Sequence, residues 1–105
     1  MNNQFKKGAL DLCVLSLLAK DDYYGYQLIQ LVTNEFSISE GTIYPILRRL
    51  SKEGYLETYM QLSSEGPSRK YYQLTEAGKD HLKQLRVEWE NLKRSVDYFV
   101  LKGDR

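Results

Sequence analysis

Residues 38–55, which read ISEGTIYPILRRLSKEGY, place the tightest constraint on the fold of this chain. Their apolar side chains recur at i, i+3, i+4 and i+7, which is the spacing of one face of an α-helix. The residues on this face are Ile43, Ile46, Leu47 and Leu50. The pattern predicts a short amphipathic helix whose apolar back packs on a core.

The ends of this helix can be predicted from the flanking residues. Ser39 is a candidate N-cap, and the charge of Glu40 suits the positive end of the helix dipole. Gly54 follows the last periodic residues and is a candidate terminator. Because Pro45 lacks a backbone N–H, the helix either begins near Tyr44 or begins at Ser39 and carries a kink. The spacing of the apolar face favours the earlier start.

The opposite face of the predicted helix is polar and is able to contact phosphates and base edges. Its residues are Thr42, Tyr44, Pro45, Arg48 and Lys52. Most amphipathic helices have such a face only because it is solvated, so the interpretation depends on the neighbouring elements. Arg48 can pair with guanine through two hydrogen bonds. Arg49 ranks below it, because Glu53 at i+4 offers an ion pair instead.

Composition and charge limit the classes of protein to which the chain can belong. Its 105 residues correspond to one domain, and a net charge of +1 means that any nucleic-acid footprint is local. The single cysteine, Cys13, rules out an internal disulfide, and one histidine, His81, is too few for a four-ligand zinc site. No catalytic motif stands out. We therefore expect neither an enzyme nor a bound cofactor or metal.

An apolar run at residues 9–19, ALDLCVLSLLA, follows two lysines and superficially resembles a short signal peptide. Asp11 interrupts the run, which is also too short to span a bilayer. A helix that is apolar on most sides is buried on most sides. The run therefore predicts a buried first helix, and we expect a cytoplasmic protein without a membrane partner.

A second amphipathic helix is predicted at Gly25–Phe36, after a polar turn in which Asp22 is a candidate cap. Its apolar stripe consists of Leu28, Ile29, Val32 and Phe36. Only residues 37–39 separate it from the helix described above, and two helices so joined form a helix-turn-helix. The sequence leaves open which of three neighbouring tyrosines is functional: Tyr23, Tyr24 or Tyr26.

Residues 55–62 and 69–74 are predicted to form two strands joined by a glycine- and proline-containing turn at 63–68. A helix-turn-helix followed by such a hairpin is a winged helix. Arg69 and Lys70 lie near the tip of this wing. Two basic residues beside a turn are usually only solvated, but next to a helix-turn-helix they are candidates for phosphate contact.

A long last helix is predicted at residues 75–102. Apolar residues alternate three and four apart along it for nearly three heptads, at Leu82, Leu85, Trp89, Leu92, Val96 and Phe99. At 1.5 Å per residue the helix is about 40 Å long, which is too long for so small a domain to cover. We expect the stripe to pack against its copy in a second chain; the alternative is packing on the chain's own core.

The predicted fold is mainly α with a small β-hairpin. A winged helix-turn-helix DNA-binding domain occupies residues 1–74, and a C-terminal dimerisation helix occupies 75–105. The candidate DNA-binding residues are Ser39, Thr42, Tyr44, Arg48, Lys52, Arg69 and Lys70. Ser39 and the free N–H groups at the helix start are suited to a phosphate.

Several segments together resemble the PadR family of bacterial transcriptional regulators: LDLCVLSLLAK, YGYQL, GTIYPILRRLSKEGYLE and GPSRKYYQLTEAG. The resemblance covers about nine tenths of the chain, and the short last helix is similar to the smaller of the family's two size classes. It implies a winged-helix homodimer that binds operator DNA, most often as a repressor. The family's recognition helix matches residues 39–52 and its wing matches 55–74.

The resemblance also implies a candidate ligand site. Some multidrug-sensing members carry a tryptophan on the last helix, which lines a pore at the dimer centre and stacks on flat aromatic compounds. Trp89 falls at the corresponding place, so it is a candidate ligand-binding residue for a planar aromatic effector. The alternative is that Trp89 only packs at the dimer seam, and the short tail of this chain departs from that group.

The expected function is that of a sequence-specific transcriptional regulator, a homodimeric repressor of double-stranded operator DNA that a small-molecule effector releases. The alternative belongs to a different class. Because a fold does not determine a function, the winged helix could be a protein-interaction module that does not bind DNA. The near-neutral net charge of +1 keeps this alternative open.

Overall fold

The predicted helices and strands are all present in a computed structural model, which describes the backbone of residues 3–102 and the side chains of residues 8–102. The described elements, in chain order, are α1 (Asn3–Lys20), β1 (Tyr23–Tyr24), α2 (Gly25–Phe36), α3 (Glu40–Lys52), β2 (Leu56–Ser63), β3 (Gly66–Leu74) and α4 (Glu76–Lys102). This part of the chain is mainly helical with a small antiparallel sheet, which confirms the predicted fold class. α2 has the predicted bounds.

The core lies between α1, α2 and α3, and Leu56 of β2, Leu74 of β3 and Leu82 of α4 complete its buried part. Its least exposed side chains are Leu10, Val14, Leu15, Leu28, Ile29, Ile43, Leu47 and Leu50. The predicted apolar stripes of α2 and α3 both face this core, although Phe36 is only half-buried. Burying one such side chain is worth about 1.5–3 kcal/mol. The two helices of the helix-turn-helix are therefore held together by packing rather than by their short connection.

The N-terminal end of α3 confirms one prediction and corrects another. The helix begins at Glu40 and includes Pro45, so the earlier of the two predicted starts is correct. Ser39 occupies the N-cap position with an extended backbone, but its side chain makes no capping hydrogen bond. Its hydroxyl lies 3.1 Å from the hydroxyl of Thr42 instead. The two hydroxyls therefore satisfy one another at the exposed start of the helix.

The C-terminal end of α3 is closed as predicted by Gly54, which has φ of +88°. The N–H groups of Gly54 and Tyr55 donate to the carbonyl oxygens of Ser51 and Leu50 at 3.1 and 3.0 Å. This pair of bonds is a Schellman motif, in which the left-handed residue favours glycine. The chain turns here from α3 into β2, the first strand of the wing.

The sheet has strand order β1–β3–β2 and is antiparallel throughout. β2 pairs with β3 from Leu56 opposite Leu74 to Ser63 opposite Gly66, so only residues 64–65 form the turn. The predicted turn at 63–68 is therefore too long, and β3 begins at Gly66 instead of residue 69. Pro67 is tolerated within β3 because β1 pairs only farther along the strand, leaving no ladder partner on that side.

The two-residue strand β1 is absent from the sequence-based prediction. Tyr23 pairs with Tyr72 and Tyr24 with Tyr71, which joins the start of α2 to the wing. The predicted capping role of Asp22 is wrong, because Tyr24 is the N-cap residue of α2 and makes no side-chain capping bond. Because residues 23 and 24 pair in β1, Asp22 lies away from the start of α2. The Asp22 carboxylate instead accepts a hydrogen bond from the Tyr59 hydroxyl on β2.

The first turn of α4 is fitted tightly against the corner that follows α3. The Thr75 hydroxyl accepts a hydrogen bond from the Gly78 N–H at 2.9 Å and donates to the Gly54 carbonyl at 2.7 Å. A Cβ on Gly78 would overlap the Tyr55 carbonyl oxygen and come within 2.6 Å of Leu74 Cδ1. The start of this helix is therefore specified by a cap and by close backbone approach, although glycine itself is a weak helix former.

The apolar stripe of α4 divides into two parts. Leu82 is 3% exposed and Leu85 is partly buried, and both pack on the chain's own core. The other four predicted dimerisation residues are exposed: Trp89 by 41%, Leu92 by 52%, Val96 by 49% and Phe99 by 71%. Leu82 and Leu85 therefore pack within the chain, which was the alternative to a seam between two chains. For the other four residues, packing against a second chain remains a prediction. Among the described helices, none is both long and apolar enough to cross a membrane.

Candidate nucleic-acid interface

The polar face of α3 is exposed, as the sequence predicted. Its buried residues all lie on the opposite side, in the core, so the outward side chains are displayed by the packing of the helix. The outward residues among the predicted contacts are Ser39, Thr42, Tyr44, Arg48 and Lys52. Tyr44 is 50% exposed although it is aromatic. An aromatic side chain with a polar tip at such a position is suited to a partner with both apolar and polar surface.

An open concavity of about 530 Å³ lies between α3, the start of α2 and the wing. Tyr44 and Arg48 line it from α3, and Arg69 and Lys70 line it from β3. Four of the seven predicted DNA-binding residues are therefore brought to one surface, although the chain separates the two pairs by about twenty residues. Ser39 at the N-cap of α3, and Thr42 and Lys52 within α3, lie outside this lining.

Three cationic side chains converge on the concavity, so the local charge is strongly positive despite a net charge of +1 for the chain. A concave surface with this charge concentrates an anionic partner. Tyr26, at the start of α2, also lines the concavity and is 59% exposed. Of the three tyrosines between which the sequence did not decide, Tyr24 and Tyr26 therefore both line this surface, while Tyr23 packs against the core.

Arg49 is engaged inside the protein and does not line the concavity. Its guanidinium donates to Asp11 at 2.6 Å and to Glu53 at 3.1 Å. The hydrogen bond that Arg49 donates to Asp11 is the main cause that raises the pKa of Arg49. The Glu53 pair was predicted from i,i+4 spacing, whereas Asp11 lies 38 residues away and had no local signal. The ranking of Arg49 below Arg48 agrees with this arrangement.

Arg69 and Lys70 stand on opposite faces of the wing, because side chains alternate along β3. Lys70 shares the face of Tyr72 and Leu74, and its Nζ lies 5.7 Å from the centroid of the Tyr72 ring. Arg69 lies on the other face, where its Cζ is 4.6 Å from the centroid of the Tyr24 ring. Each cation is therefore backed by an aromatic ring while it reaches the concavity.

A row of three tyrosines crosses the outer face of the sheet. Tyr24, Tyr71 and Tyr59 are opposite one another on β1, β3 and β2. Their ring centroids are 5.8 and 5.6 Å apart. The Tyr59 hydroxyl donates to a carboxylate oxygen of Asp22 at 2.6 Å, and this bond is the main cause that raises the pKa of Tyr59 to about 12.

Comparison with known proteins agrees with this geometry. The sequence matches the transcriptional regulator PadR-like family over residues 14–84. The chain belongs to this family. The transcriptional regulator Rv3488 of Mycobacterium tuberculosis is 33% identical over 94 residues, which cover 89% of this chain and 87% of that protein. The negative transcriptional regulator PadR of Bacillus subtilis is 29% identical over 90% of this chain, but only 54% of that protein is covered.

Solved structures show the same architecture. A PadR-like transcriptional regulator from Bacillus cereus has a TM-score of 0.84 and 35% identity, covering 93% of this chain and 97% of that one. The smu.1704 protein of Streptococcus mutans has a TM-score of 0.83 and 39% identity, covering 94% and 92%. The chain is thus a winged-helix, DNA-binding transcriptional regulator of the PadR-like family and not an enzyme.

Proposed function

We propose that this PadR-like chain is a cytoplasmic, homodimeric repressor that binds a specific operator and is released by a small-molecule effector. The observation that carries the proposal is the convergence of Arg48 from α3 with Arg69 and Lys70 from the wing on one concavity. A duplex presents base edges and phosphates within a few ångströms of one another. A sequence-specific DNA-binding protein therefore needs groups for base contact and groups for phosphate contact on one surface. The name of the Bacillus subtilis relative, a negative regulator, supports repression.

In this proposal, the contacts divide by chemistry. Arg48 reads a guanine in the major groove through two hydrogen bonds, which is worth about 1–3 kcal/mol of discrimination. Arg69 and Lys70 bind phosphates, which gives affinity but no sequence preference. Tyr44 lies one helical turn before Arg48 on the same lining, where its hydroxyl is suited to contact either a base edge or a phosphate. Ser39, Thr42 and Lys52, which are exposed along α3, extend the same footprint.

The exposed part of the α4 stripe supports the homodimer. Four large apolar side chains that lie on one heptad seam are exposed by 41% or more: Trp89, Leu92, Val96 and Phe99. Burying such a stripe against its copy is the usual way in which a two-stranded seam is stabilised. Two recognition helices related by a two-fold axis would then contact half-sites whose centres are about 34–36 Å apart.

Trp89 is the candidate for effector binding in this dimer. It is 41% exposed, so its ring is available both to a flat aromatic compound and to the partner helix. An effector releases DNA only to the extent that it favours a dimer shape with the wrong helix spacing. The test is the fluorescence anisotropy of an acridine dye with the full chain. Binding that is lost in Trp89→Ala while the dimer persists supports the ligand role, and no binding to the wild type contradicts it.

Duplex binding tests the main proposal. Affinity is measured across a salt series for a duplex from upstream of the chain's own gene and for a random duplex of equal length. Arg48→Ala is expected to weaken the upstream complex about tenfold or more, with little effect on random DNA. Arg69→Ala and Lys70→Ala are expected to weaken both complexes and to lower the salt slope by about 0.9 each. Lys83→Ala, an exposed charge on α4, is the control.

The results can contradict each part separately. If Arg69→Ala leaves the affinity and the salt slope unchanged, the wing does not contact phosphate. If the wild type binds no duplex at any salt concentration, the protein-interaction alternative replaces the proposal. Sedimentation of Leu92→Glu against Lys93→Glu tests the dimer independently of DNA, because only the first places a charge on the seam. Dissociation of both variants, or of neither, would contradict the predicted seam.

A further inference from the structure

We propose that Tyr24 is a positioning residue for DNA binding, which holds the guanidinium of Arg69 ready for phosphate contact. The inference rests on the proposed function and adds to it a residue from outside the recognition helix and the hairpin. Tyr24 belongs to β1 and is also the N-cap residue of α2. The grip of the wing on DNA is therefore set by the start of the helix-turn-helix.

The geometry of the pair suits this role. The Arg69 Cζ lies 4.6 Å from the centroid of the Tyr24 ring, within the range of a cation–π contact. A guanidinium that stacks on a ring at this distance uses its flat face, and its five N–H donors then point outward from the edge. No hydrogen bond or ion pair from Arg69 to the described residues 8–102 occupies those donors. The stack therefore fixes the side chain and leaves its phosphate-binding edge free.

The ring that supports Arg69 is the first member of a row of contacts that continues across the sheet. Tyr24 is paired through its backbone with Tyr71 on β3, and the Tyr71 ring lies 5.8 Å away. Tyr59 stacks on the other side of Tyr71, with planes inclined by 14°. Tyr59 donates to Asp22, which lies just before β1 in the chain. The row is thus anchored at both ends to the segment that leads into α2.

This arrangement explains why a short extra strand matters for binding. A hairpin tip without it is attached to the rest of the domain only at its base, and a long arginine side chain there samples many rotamers. Ordering such a side chain on binding weakens the complex, and a preformed geometry reduces that cost. Lys70 differs, since its ammonium is a compact charge that needs no planar alignment. The support is therefore expected to matter for Arg69 in particular.

The first test uses the full chain and a random-sequence duplex, because phosphate contact does not depend on sequence. Removing an exposed cation–π contact is expected to weaken binding about two- to fivefold in Tyr24→Leu. Tyr24→Phe keeps the ring and is expected to bind like the wild type. In an Arg69→Ala background, Tyr24→Leu is expected to have no further effect. Urea unfolding of each variant confirms that the compared chains are folded.

The second test needs no DNA. In the wild type, the ring current of Tyr24 is expected to shift the Arg69 Nε–H resonance upfield in an NMR spectrum, and this shift is expected to persist in Tyr24→Phe and vanish in Tyr24→Leu. Persistence of the shift in Tyr24→Leu would overturn the stack. Loss of binding in Tyr24→Phe, or an undiminished effect of Tyr24→Leu in the Arg69→Ala background, would overturn the positioning role. Failure of the wild type to bind any duplex would refute the proposed function and leave the spectroscopic result standing.

Discussion

Replacing Gly78 by alanine is expected to destabilise the protein, although alanine is the better helix former. The added Cβ would overlap the carbonyl oxygen of Tyr55 and approach Leu74 Cδ1 to 2.6 Å. The carbonyl oxygen belongs to the backbone and cannot rotate away as a side chain can. It also accepts a hydrogen bond from the Thr75 N–H at 3.1 Å, so any shift strains that bond as well.

The magnitude follows from three opposing terms. Overpacking of a well-filled site costs about 1–3 kcal/mol. Weakening the hydrogen bond to the Tyr55 carbonyl adds about 1 kcal/mol to this cost. The higher helix propensity of alanine stabilises the variant by about 1 kcal/mol and offsets that addition. The free energy of unfolding should therefore fall by about 1–3 kcal/mol. With a urea m-value of about 1–3 kcal/mol/M, a loss of 2 kcal/mol lowers the midpoint by roughly 1 M.

The assay is urea unfolding followed by circular dichroism, with all chains at one concentration because an oligomer would otherwise shift the midpoint. Gly8→Ala in α1 is the matched control, since a Cβ there meets nothing within 4 Å. The same chemical change should stabilise the protein at Gly8, by up to about 1 kcal/mol, and destabilise it at Gly78. Midpoints that rise equally in both variants would refute the close approach of α4 to the corner after α3.

Three further predictions concern single polar groups. Asp11→Asn is expected to lower the free energy of unfolding by about 1–2 kcal/mol, since the charge that pairs with Arg49 is mostly buried; urea unfolding against the exposed Asp80→Asn checks this. The raised pKa of Tyr59, about 12, means that its contribution to stability is complete below pH 10.0 and is lost as the pH rises towards 12, which ultraviolet titration against Tyr59→Phe measures. Burial raises the pKa of the Cys13 thiol, so iodoacetamide should alkylate the folded chain more slowly than the chain in urea.

The helices could be predicted from the sequence because their signals are local. The stripes of α2 and α3 repeat within a dozen residues, and both face the core as expected. Gly54 was recognisable as a terminator since a left-handed residue after a helix favours glycine. The same local character made Arg48 recognisable, because a residue opposite a buried stripe must point outward.

The sheet was predicted less well because its pairing joins distant residues. β1 is only two residues long, and nothing in Tyr23 or Tyr24 indicates a partner nearly fifty residues later. The start of β3 was placed too late because Gly66 and Pro67 are typical turn residues. Both occur in the strand here, at the end where β3 has a neighbour on one side only.

The candidate site was predictable in its parts and not in its assembly. Arg48 and Lys70 were recognised separately, one from a helix face and one from a turn. That both line a single concavity depends on the angle between α3 and the wing, which no spacing encodes. The same holds for the supports of the site. Asp11 accepts a hydrogen bond from Arg49, which lies 38 residues away in the chain. The Tyr24 ring contacts the Arg69 guanidinium on the neighbouring strand.

The corner between α3 and β2 connects the interface to the proposed dimer seam. Thr75 bonds to the Gly54 carbonyl, Gly78 packs on the Tyr55 backbone, and the His81 ring stacks on that of Tyr55 with centroids 4.1 Å apart. These contacts fasten the first turns of α4 to the end of the recognition helix. A change in the angle between two α4 helices at a seam would therefore carry each recognition helix with it, because bending the corner instead would break several contacts at once. In the proposed dimer, an effector bound at Trp89 would need only to alter that angle in order to change the distance between the two α3 helices.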